Sequence, residues 1–223
     1  MVVSLLACGT ETGNPEELAF EYNARSSAPE VIGLRSPGSA ARVDSVWLRL
    51  GPVELTGDCD DERGERSYVG LGFADHADEQ PALQQLLVPF DTTCSVALSL
   101  EPDASATGEP AGVGGAALAL QGTLADGRPF LVRSDEPMAW SFPLRDEPVP
   151  EAGAWLLSFD VAEWLDEGAL AAVPGDELTV SATENPALLD ALLDRVAGGL
   201  TLHLDDDRDG GIDPGEDLLA VGE

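Results

Sequence analysis

The stretch VDSVWLRL, Val43–Leu50, has the strongest β-strand pattern in the chain. Successive side chains of an extended strand point to opposite faces, so this stretch has an apolar face and a mixed face. The two sets are Val46, Leu48 and Leu50 on one face and Val43, Ser45 and Trp47 on the other. Such alternation is typical of an antiparallel sheet with one face against a core. Gly51-Pro52 then predicts a turn into a short partner strand, Val53–Thr56.

The same alternation recurs in short segments that are separated by turn residues. The other predicted strands are Leu18–Ala24, Ser67–Phe73, Leu83–Pro89, Cys94–Leu100, Ala116–Leu124, Arg128–Ser134, Met138–Leu144, Ala154–Phe159, Leu178–Ser181 and Leu200–Leu204. Asp126-Gly127 between two of these strands is a strong hairpin signal. Many short strands with turns between them predict a mainly β fold, specifically an antiparallel β-sandwich.

Two short helices are predicted within this pattern. Asp160 is a suitable N-cap for a helix at about 161–166. Asn185-Pro186 supplies a cap residue and a first-turn proline for a helix at about 186–197, which Gly198-Gly199 ends. No internal boundary is evident, so we expect residues 18–223 to form a single β-sandwich domain.

The charge balance is strongly acidic. Among 223 residues, 42 are Asp or Glu and 11 are basic, all of them Arg, for a formal net charge of −31. Nucleic acids and anionic lipid headgroups are bound through clustered Lys and Arg, so this surface excludes nucleic-acid partners. It favours divalent cations, although acidic faces also serve simply as solvated surface.

The sequence DDDRDGGIDPGE, Asp205–Glu216, matches the calcium-loop pattern D-x-[DN]-x-[DN]-G-x5-E. Ca²⁺ binds six to eight oxygen atoms, and the spacing assigns an oxygen donor to each ligand position. The predicted ligands are the side chains of Asp205, Asp207, Asp209, Asp213 and Glu216 and the backbone carbonyl of Gly211. Gly210 allows a sharp turn at the sixth position, and Ile212 at the eighth is expected to point inward.

The flanking sequence differs from that of a paired EF-hand. TLHL before the loop alternates like a strand, and no second loop of this type is present in the sequence. We therefore expect one structural Ca²⁺ ion that fastens the C-terminal segment, and not a calcium sensor. The alternative is a solvated acidic segment without a metal.

The N-terminal residues suggest a lipid-attachment site. LLAC, Leu5–Cys8, places a small residue directly before Cys8, after the short apolar stretch of residues 1–7. We expect residues 1–7 to be the remnant of a signal peptide, Cys8 to carry the lipid, and residues 8–17 to be a flexible tether. A basic start is missing, so we expect either that the true start of the protein lies upstream or that the resemblance to a signal peptide is chance. The alternative is an ordinary N-terminus with a free thiol.

Two further cysteines, Cys59 and Cys94, remain if Cys8 is lipidated. An even number in an exported protein favours a disulfide, which we predict between Cys59 and Cys94. Two buried thiols are the alternative. A cysteine pair without further Cys or His ligands is a poor zinc site.

Sequence motifs for catalysis are missing. The chain contains no GxSxG, HExxH or GxxxxGK[ST] motif, although a pair of acidic residues among 42 could still act as in a glycosidase. His76 is expected in a solvated loop or a weak metal cluster, and His203 on a half-exposed strand. The tryptophans pack in the core or form a sugar-stacking platform; they are Trp47, Trp140, Trp155 and Trp164.

Several of these segments together resemble uncharacterised predicted lipoproteins of high-GC bacteria. They are CGTETGNP after LLA, VDSVWLRLGPVEL, FDVAEWLDEGAL, ENPALLDALL and the terminal DDDRDGGIDPGE. The resemblance covers most of the chain, and the strand pairs are also similar to those of bacterial prealbumin-like sandwich lipoproteins. It implies a fold and a location at the cell envelope, and it implies no activity.

These observations predict a non-enzymatic cell-envelope lipoprotein that is monomeric and touches the membrane only through its lipid anchor. Its expected location is the outer membrane or cell surface, with secretion as the alternative. Its role is that of a calcium-stabilised binding or structural module with an envelope protein or glycan as partner. The alternatives are a carbohydrate- or protein-binding adhesin and, less favoured, a secreted hydrolase that uses carboxylates.

Overall fold

The computed structural model describes residues 15–35, 38–57, 59, 64–77, 81–150, 153–213 and 216–222. The strands are β1 (Glu16–Arg25), β2 (Ile32–Leu34), β3 (Ala41–Gly57), β4 (Glu65–Tyr68), β5 (Gly72–Asp75), β6 (Ala82–Val88), β7 (Thr92–Leu100), β8 (Leu118–Leu124), β9 (Pro129–Ser134), β10 (Met138–Pro148), β11 (Ala154–Asp160), β12 (Leu178–Val180), β13 (Leu200–Asp205) and β14 (Leu218–Val221). The helices are α1 (Val161–Trp164), α2 (Glu167–Ala171) and α3 (Pro186–Gly198). Residues 1–7 and Cys8 lie outside the described residues, and β1 takes in the last two residues of the expected tether.

Two sheets enclose the core, which confirms the prediction of a mainly β, sandwich-like fold. One sheet has five strands in the order β14-β13-β11-β1-β6. The other has nine strands, with the path β10-β7-β3-β8-β9-β12 and with β2, β4 and β5 also paired to β3. The main apolar cluster combines buried side chains of both sheets, including Phe20 and Trp155 from the first and Leu48 and Val96 from the second.

The stretch that opened the sequence analysis lies in β3, the longest strand and the one with most neighbours. Its first part pairs with β8, with one register shift, and its second part pairs with β7, with two register shifts. The shift at Asp44 puts Val43 into the same core as Val46, so the prediction that they face opposite sides was wrong. The second shift, at Gly51-Pro52, is an irregularity within β3 and replaces the predicted turn. Bulges of this kind change which face an odd or even residue occupies.

Not every strand pair is antiparallel. The pairs β1–β11, β2–β3 and β9–β12 are parallel, and the other pairs of described strands are antiparallel. Parallel neighbours need a long crossover, and β1 and β11 are separated by most of the domain's strands. Alternation within a strand does not reveal the direction of its neighbour, so the sequence pattern could not distinguish these pairs.

The segment Ser67–Phe73 was predicted as one strand, and that prediction was wrong. β4 ends at Tyr68 and β5 begins at Gly72, so the chain bends between them. A Cβ atom on Gly70 would lie 1.8 Å from the carbonyl oxygen of Gly51, and Gly72 has a φ of +73°. Both positions therefore require glycine for the backbone to turn closely against β3.

The helices were predicted in the right places but with different ends. The side chain of Asp160 accepts a hydrogen bond from the Ala162 N–H, as expected of an N-cap, but α1 ends at Trp164 and a separate helix, α2, follows. Asn185 has a left-handed backbone, and its side chain donates to the Thr179 carbonyl instead of capping α3. Among the helices of the described ranges, none is long and apolar enough to cross a membrane.

The predicted disulfide between Cys59 and Cys94 is confirmed. It joins the segment after β3 to β7 across a sequence separation of 35 residues. Closing a loop of this length stabilises a folded protein by about 4 kcal/mol, because it restricts the unfolded chain. The bond therefore supports the edge of the nine-stranded sheet where β3 and β7 pair.

Candidate metal centre

The acidic loop connects two strands of the five-stranded sheet. It leaves β13 at Asp205 and returns to β14, which pairs antiparallel with β13 through Thr201–Val221 and Leu202–Ala220. β14 was not predicted, because its sequence, LLAV, is apolar throughout and shows no alternation. The loop is thus the tip of a β-hairpin, in agreement with the strand that was predicted before it. No helix flanks it in the described residues.

Three of the predicted ligand side chains converge. One carboxylate oxygen from each of Asp205, Asp207 and Asp209 lies within 4.8 Å of the others. Two oxygens bound to the same Ca²⁺ ion at 2.3–2.6 Å lie at most about 5 Å apart. The three carboxylates are therefore already close enough together to bind one ion.

Asp205 organises the loop from a fully buried position. Its Oδ1 accepts the Arg208 N–H at 2.6 Å, and its Oδ2 accepts the Gly210 N–H at 2.9 Å. Arg208 and Gly210 both have positive φ angles, 61° and 75°, so the loop bends sharply around this carboxylate. Each carboxylate oxygen has more than one acceptor direction, so these bonds leave room for a cation.

Two adjacent glycines of the loop, Gly210 and Gly211, lie close to neighbouring side chains. A Cβ atom on Gly210 would lie 2.4 Å from the Pro81 side chain, in addition to the strain of its positive φ. A Cβ atom on Gly211 would lie 2.8 Å from Asp209 Oδ1, the oxygen that accepts the Gly211 N–H at 2.6 Å. The carboxylate of Asp209, at the fifth loop position, therefore leaves little room for a side chain at the seventh position, which Gly211 occupies.

Asp213 and Glu216, the remaining predicted ligands, lie outside the group of three carboxylates. Asp213 is exposed, and its N–H donates to Glu216 Oε2 at 2.8 Å. Burial raises the pKa of Glu216, with the charges of Asp205 and Asp213 adding to the effect and backbone N–H groups opposing it. Glu216 is thus near enough to Asp205 to be affected by its charge, and its role as the closing ligand remains a prediction.

The loop folds back over the outer face of the five-stranded sheet. Asn23 of β1 donates to the Gly210 carbonyl at 2.8 Å, and Arg208 Nε donates to the Gly153 carbonyl at 2.6 Å. Ile212 is half-buried and lines a small cavity with Leu156 of β11. This cover explains why residues that alternate outward on β1 and β11 are buried.

Glu21 of β1 lies under this cover and was not singled out by sequence reasoning. Only 4% of its surface is exposed, and its Oε2 has no hydrogen-bond partner among the described residues. Burial, followed by the charge of Asp205 and a hydrogen bond with it, raises the pKa of Glu21 to about 7. Alternation in LAFEYNA predicts that Glu21 points to the face of the sheet away from Phe20 and Tyr22. No sequence signal shows that this outer face is covered by another segment.

Both histidines are buried, which corrects the expectations for them. His76 is 3% exposed and packs against the rings of Tyr22 and Phe159, with centroid distances of 6.2 and 5.5 Å. His203 is also buried, and its Nε2 lies 3.0 Å from Thr201 Oγ1. Neither belongs to the group of three carboxylates that converge in the described part of the chain.

Three of the four tryptophans are core residues, as packing requires. Trp140, Trp155 and Trp164 are buried, whereas Trp47 is partly exposed on the outer side of the nine-stranded sheet. Trp47 stacks on Phe73 at 5.0 Å, and the Arg49 guanidinium lies over the same Phe73 ring. The four side chains therefore do not form a shared surface platform.

Comparison with protein-family models, with curated proteins and with solved structures found no match to this chain.

Proposed function

We propose that this protein is a non-enzymatic, calcium-stabilised module of the cell envelope, in which Ca²⁺ binds at the Asp205–Glu216 loop. The observation that supports a metal site is the convergence of Asp207 and Asp209 on the buried carboxylate of Asp205. The donors are all oxygen atoms, which suit a hard cation and not Zn²⁺, which is usually held by nitrogen and sulfur. A set of several carboxylates and a carbonyl also favours Ca²⁺ over Mg²⁺, which needs near-ideal octahedral geometry and usually keeps several waters.

The proposed role of the ion is structural. The loop lies between two strands of one sheet, so binding has no helix pair to open as in a calcium sensor. A bound cation would neutralise carboxylates that now face one another and would hold the β13–β14 hairpin against β1 and β11. The loop touches those strands through the contacts of Asn23 and Arg208.

Calcium titration by calorimetry, with melting followed in parallel, tests this proposal. We expect one site with a Kd of about 10⁻⁴–10⁻³ M, the range of extracellular calcium modules. At about 10 mM Ca²⁺, mass action then adds about 1.4–2.7 kcal/mol of stability, which raises Tm by about 3–10 °C relative to EDTA. Mg²⁺ at the same concentration is the control. A chain that gives no heat with Ca²⁺ and has the same Tm in EDTA would contradict the proposal.

The location at the cell envelope rests on Cys8, which lies outside the described residues, and we propose that it carries a lipid. The expected result is that the protein expressed with its export signal partitions into detergent, whereas the Cys8→Ser variant partitions into water. A single lipidated cysteine would anchor the protein to a membrane surface without a spanning segment. Equal partitioning of both proteins into water would rule out the anchor.

A further inference from the structure

Glu21 and Asp205 come from distant parts of the sequence and meet on one face of the sheet. In the pairing of β1 with β11, Glu21 lies opposite Leu156, and in the pairing of β11 with β13, Asp205 lies opposite Ala154. Residues 154 and 156 are two apart on β11, so all four side chains point to the same face. Glu21 and Asp205 therefore lie on either side of β11, with their side chains on the same face of the sheet.

The two carboxyl groups are close enough for their charges to interact, and both side chains are buried. The charge of Arg208, whose Nε donates to the Gly153 carbonyl, offsets their repulsion only in part. A buried carboxylate without a partner is strongly unfavourable, so such a pair needs either a proton or a cation.

We infer that Glu21 is a calcium ligand supplied from outside the loop. This inference rests on the proposed calcium site and adds to it an oxygen from β1, namely the unpartnered Oε2 of a buried side chain that lies beside Asp205. With Asp205, Asp207, Asp209, Glu216 and the Gly211 carbonyl, Glu21 brings the number of protein ligands to at least six, the lower limit for Ca²⁺. The ion then joins the first strand of the sheet to its last hairpin, instead of ordering the loop alone.

The test compares Glu21→Gln with Glu17→Gln, an exposed residue four positions earlier on the same face of β1. Glutamine keeps the shape of the side chain and removes its charge. In EDTA, we expect Glu21→Gln to melt at or above the wild-type temperature, because it removes a buried charge repulsion. In calcium titrations, its Kd is expected to be at least tenfold weaker than that of the wild type, whereas Glu17→Gln is unchanged.

Luminescence of bound Eu³⁺, which prefers the same oxygen ligands, gives a second measurement. Lifetimes in H₂O and D₂O count the water molecules on the ion, and Glu21→Leu, which removes both side-chain oxygens, is expected to add about one. Wild-type calcium affinity in Glu21→Gln, or the wild-type water count in Glu21→Leu, would overturn the role of Glu21 and leave the calcium site intact. A wild-type protein that binds no Ca²⁺ would instead overturn the proposed function, and this inference with it.

Discussion

The Asp205→Ala variant is expected to lose calcium binding and to be less stable than the wild type even in EDTA. Asp205 is fully buried and holds the N–H groups of both Arg208 and Gly210. Hydrogen bonds to a charged acceptor contribute about 1.5–3 kcal/mol each, and alanine replaces neither. We therefore expect the free energy of unfolding in EDTA to fall by about 3 kcal/mol, and the stabilisation by Ca²⁺ to disappear in addition.

Two variants of neighbouring residues separate the effect on the loop from the effect on the metal. Asp207 is an exposed predicted ligand whose Oδ1 accepts the Asp209 N–H at 3.2 Å, its one side-chain hydrogen bond within the described part of the chain. Asp207→Ala therefore removes a ligand with little change in the metal-free protein. Asp206 is exposed and holds no ligand position, so Asp206→Ala serves as the matched control. Urea unfolding in EDTA and in Ca²⁺ gives the free energy of unfolding of all three variants. If Asp205→Ala were as stable as Asp206→Ala in both conditions, the organising role of Asp205 would be refuted.

The sequence predicted the part of this site that lies within one loop. The spacing of the calcium-loop pattern identified Asp205, Asp207 and Asp209 as ligands. These three side chains converge because the loop bends around the carboxylate of Asp205. Glu21 could not be found in the same way. It reaches Asp205 only because β1 and β13 are both neighbours of β11, and alternation in β1 does not reveal that neighbour.

In the fold too, features set by neighbouring residues were predictable, and features set by the pairing of distant segments were not. The alternation of VDSVWLRL correctly predicted a strand. Val43 and Gly51-Pro52 were nevertheless wrongly placed, because the register shifts of β3 arise from its pairing with β7 and β8. The disulfide was predictable from the count of cysteines. The burial of His76 was not, because FADHADE is a polar segment whose neighbours in the core come from β1 and β11.

We expect the protein to lose stability in mild acid because His76 is buried in its neutral form. Burial lowers its pKa from 6.5 to about 4, and the Tyr22 backbone and the charge of Asp75 offset this only in part. Neither ring nitrogen makes a hydrogen bond of good geometry with the described side chains and backbone groups, so the Tyr22 backbone interacts with the ring only weakly. The folded protein therefore holds His76 neutral in a pH range where the unfolded chain already binds a proton.

The depressed pKa determines the direction of the pH dependence. Above pH 6.5, both states are neutral at this residue, and its contribution to stability is fully present. As the pH falls from 6.5 to 4, only the unfolded state gains a proton, so the free energy of unfolding decreases. A pKa of 6.5 in the unfolded chain and about 4 in the folded protein corresponds to a loss of about 3 kcal/mol at pH 4.

Replacing His76 by leucine, which is of similar size and does not ionise, isolates this contribution. Urea unfolding of the wild type and His76→Leu between pH 7.5 and 4, both in EDTA, gives the difference in their free energies of unfolding. Carboxylates that titrate in the same range are common to both proteins and cancel in that difference. We expect the wild type to lose about 3 kcal/mol relative to His76→Leu over this range. Parallel pH profiles would show that His76 exchanges protons freely in the folded protein, and the core position assigned to it would then be wrong.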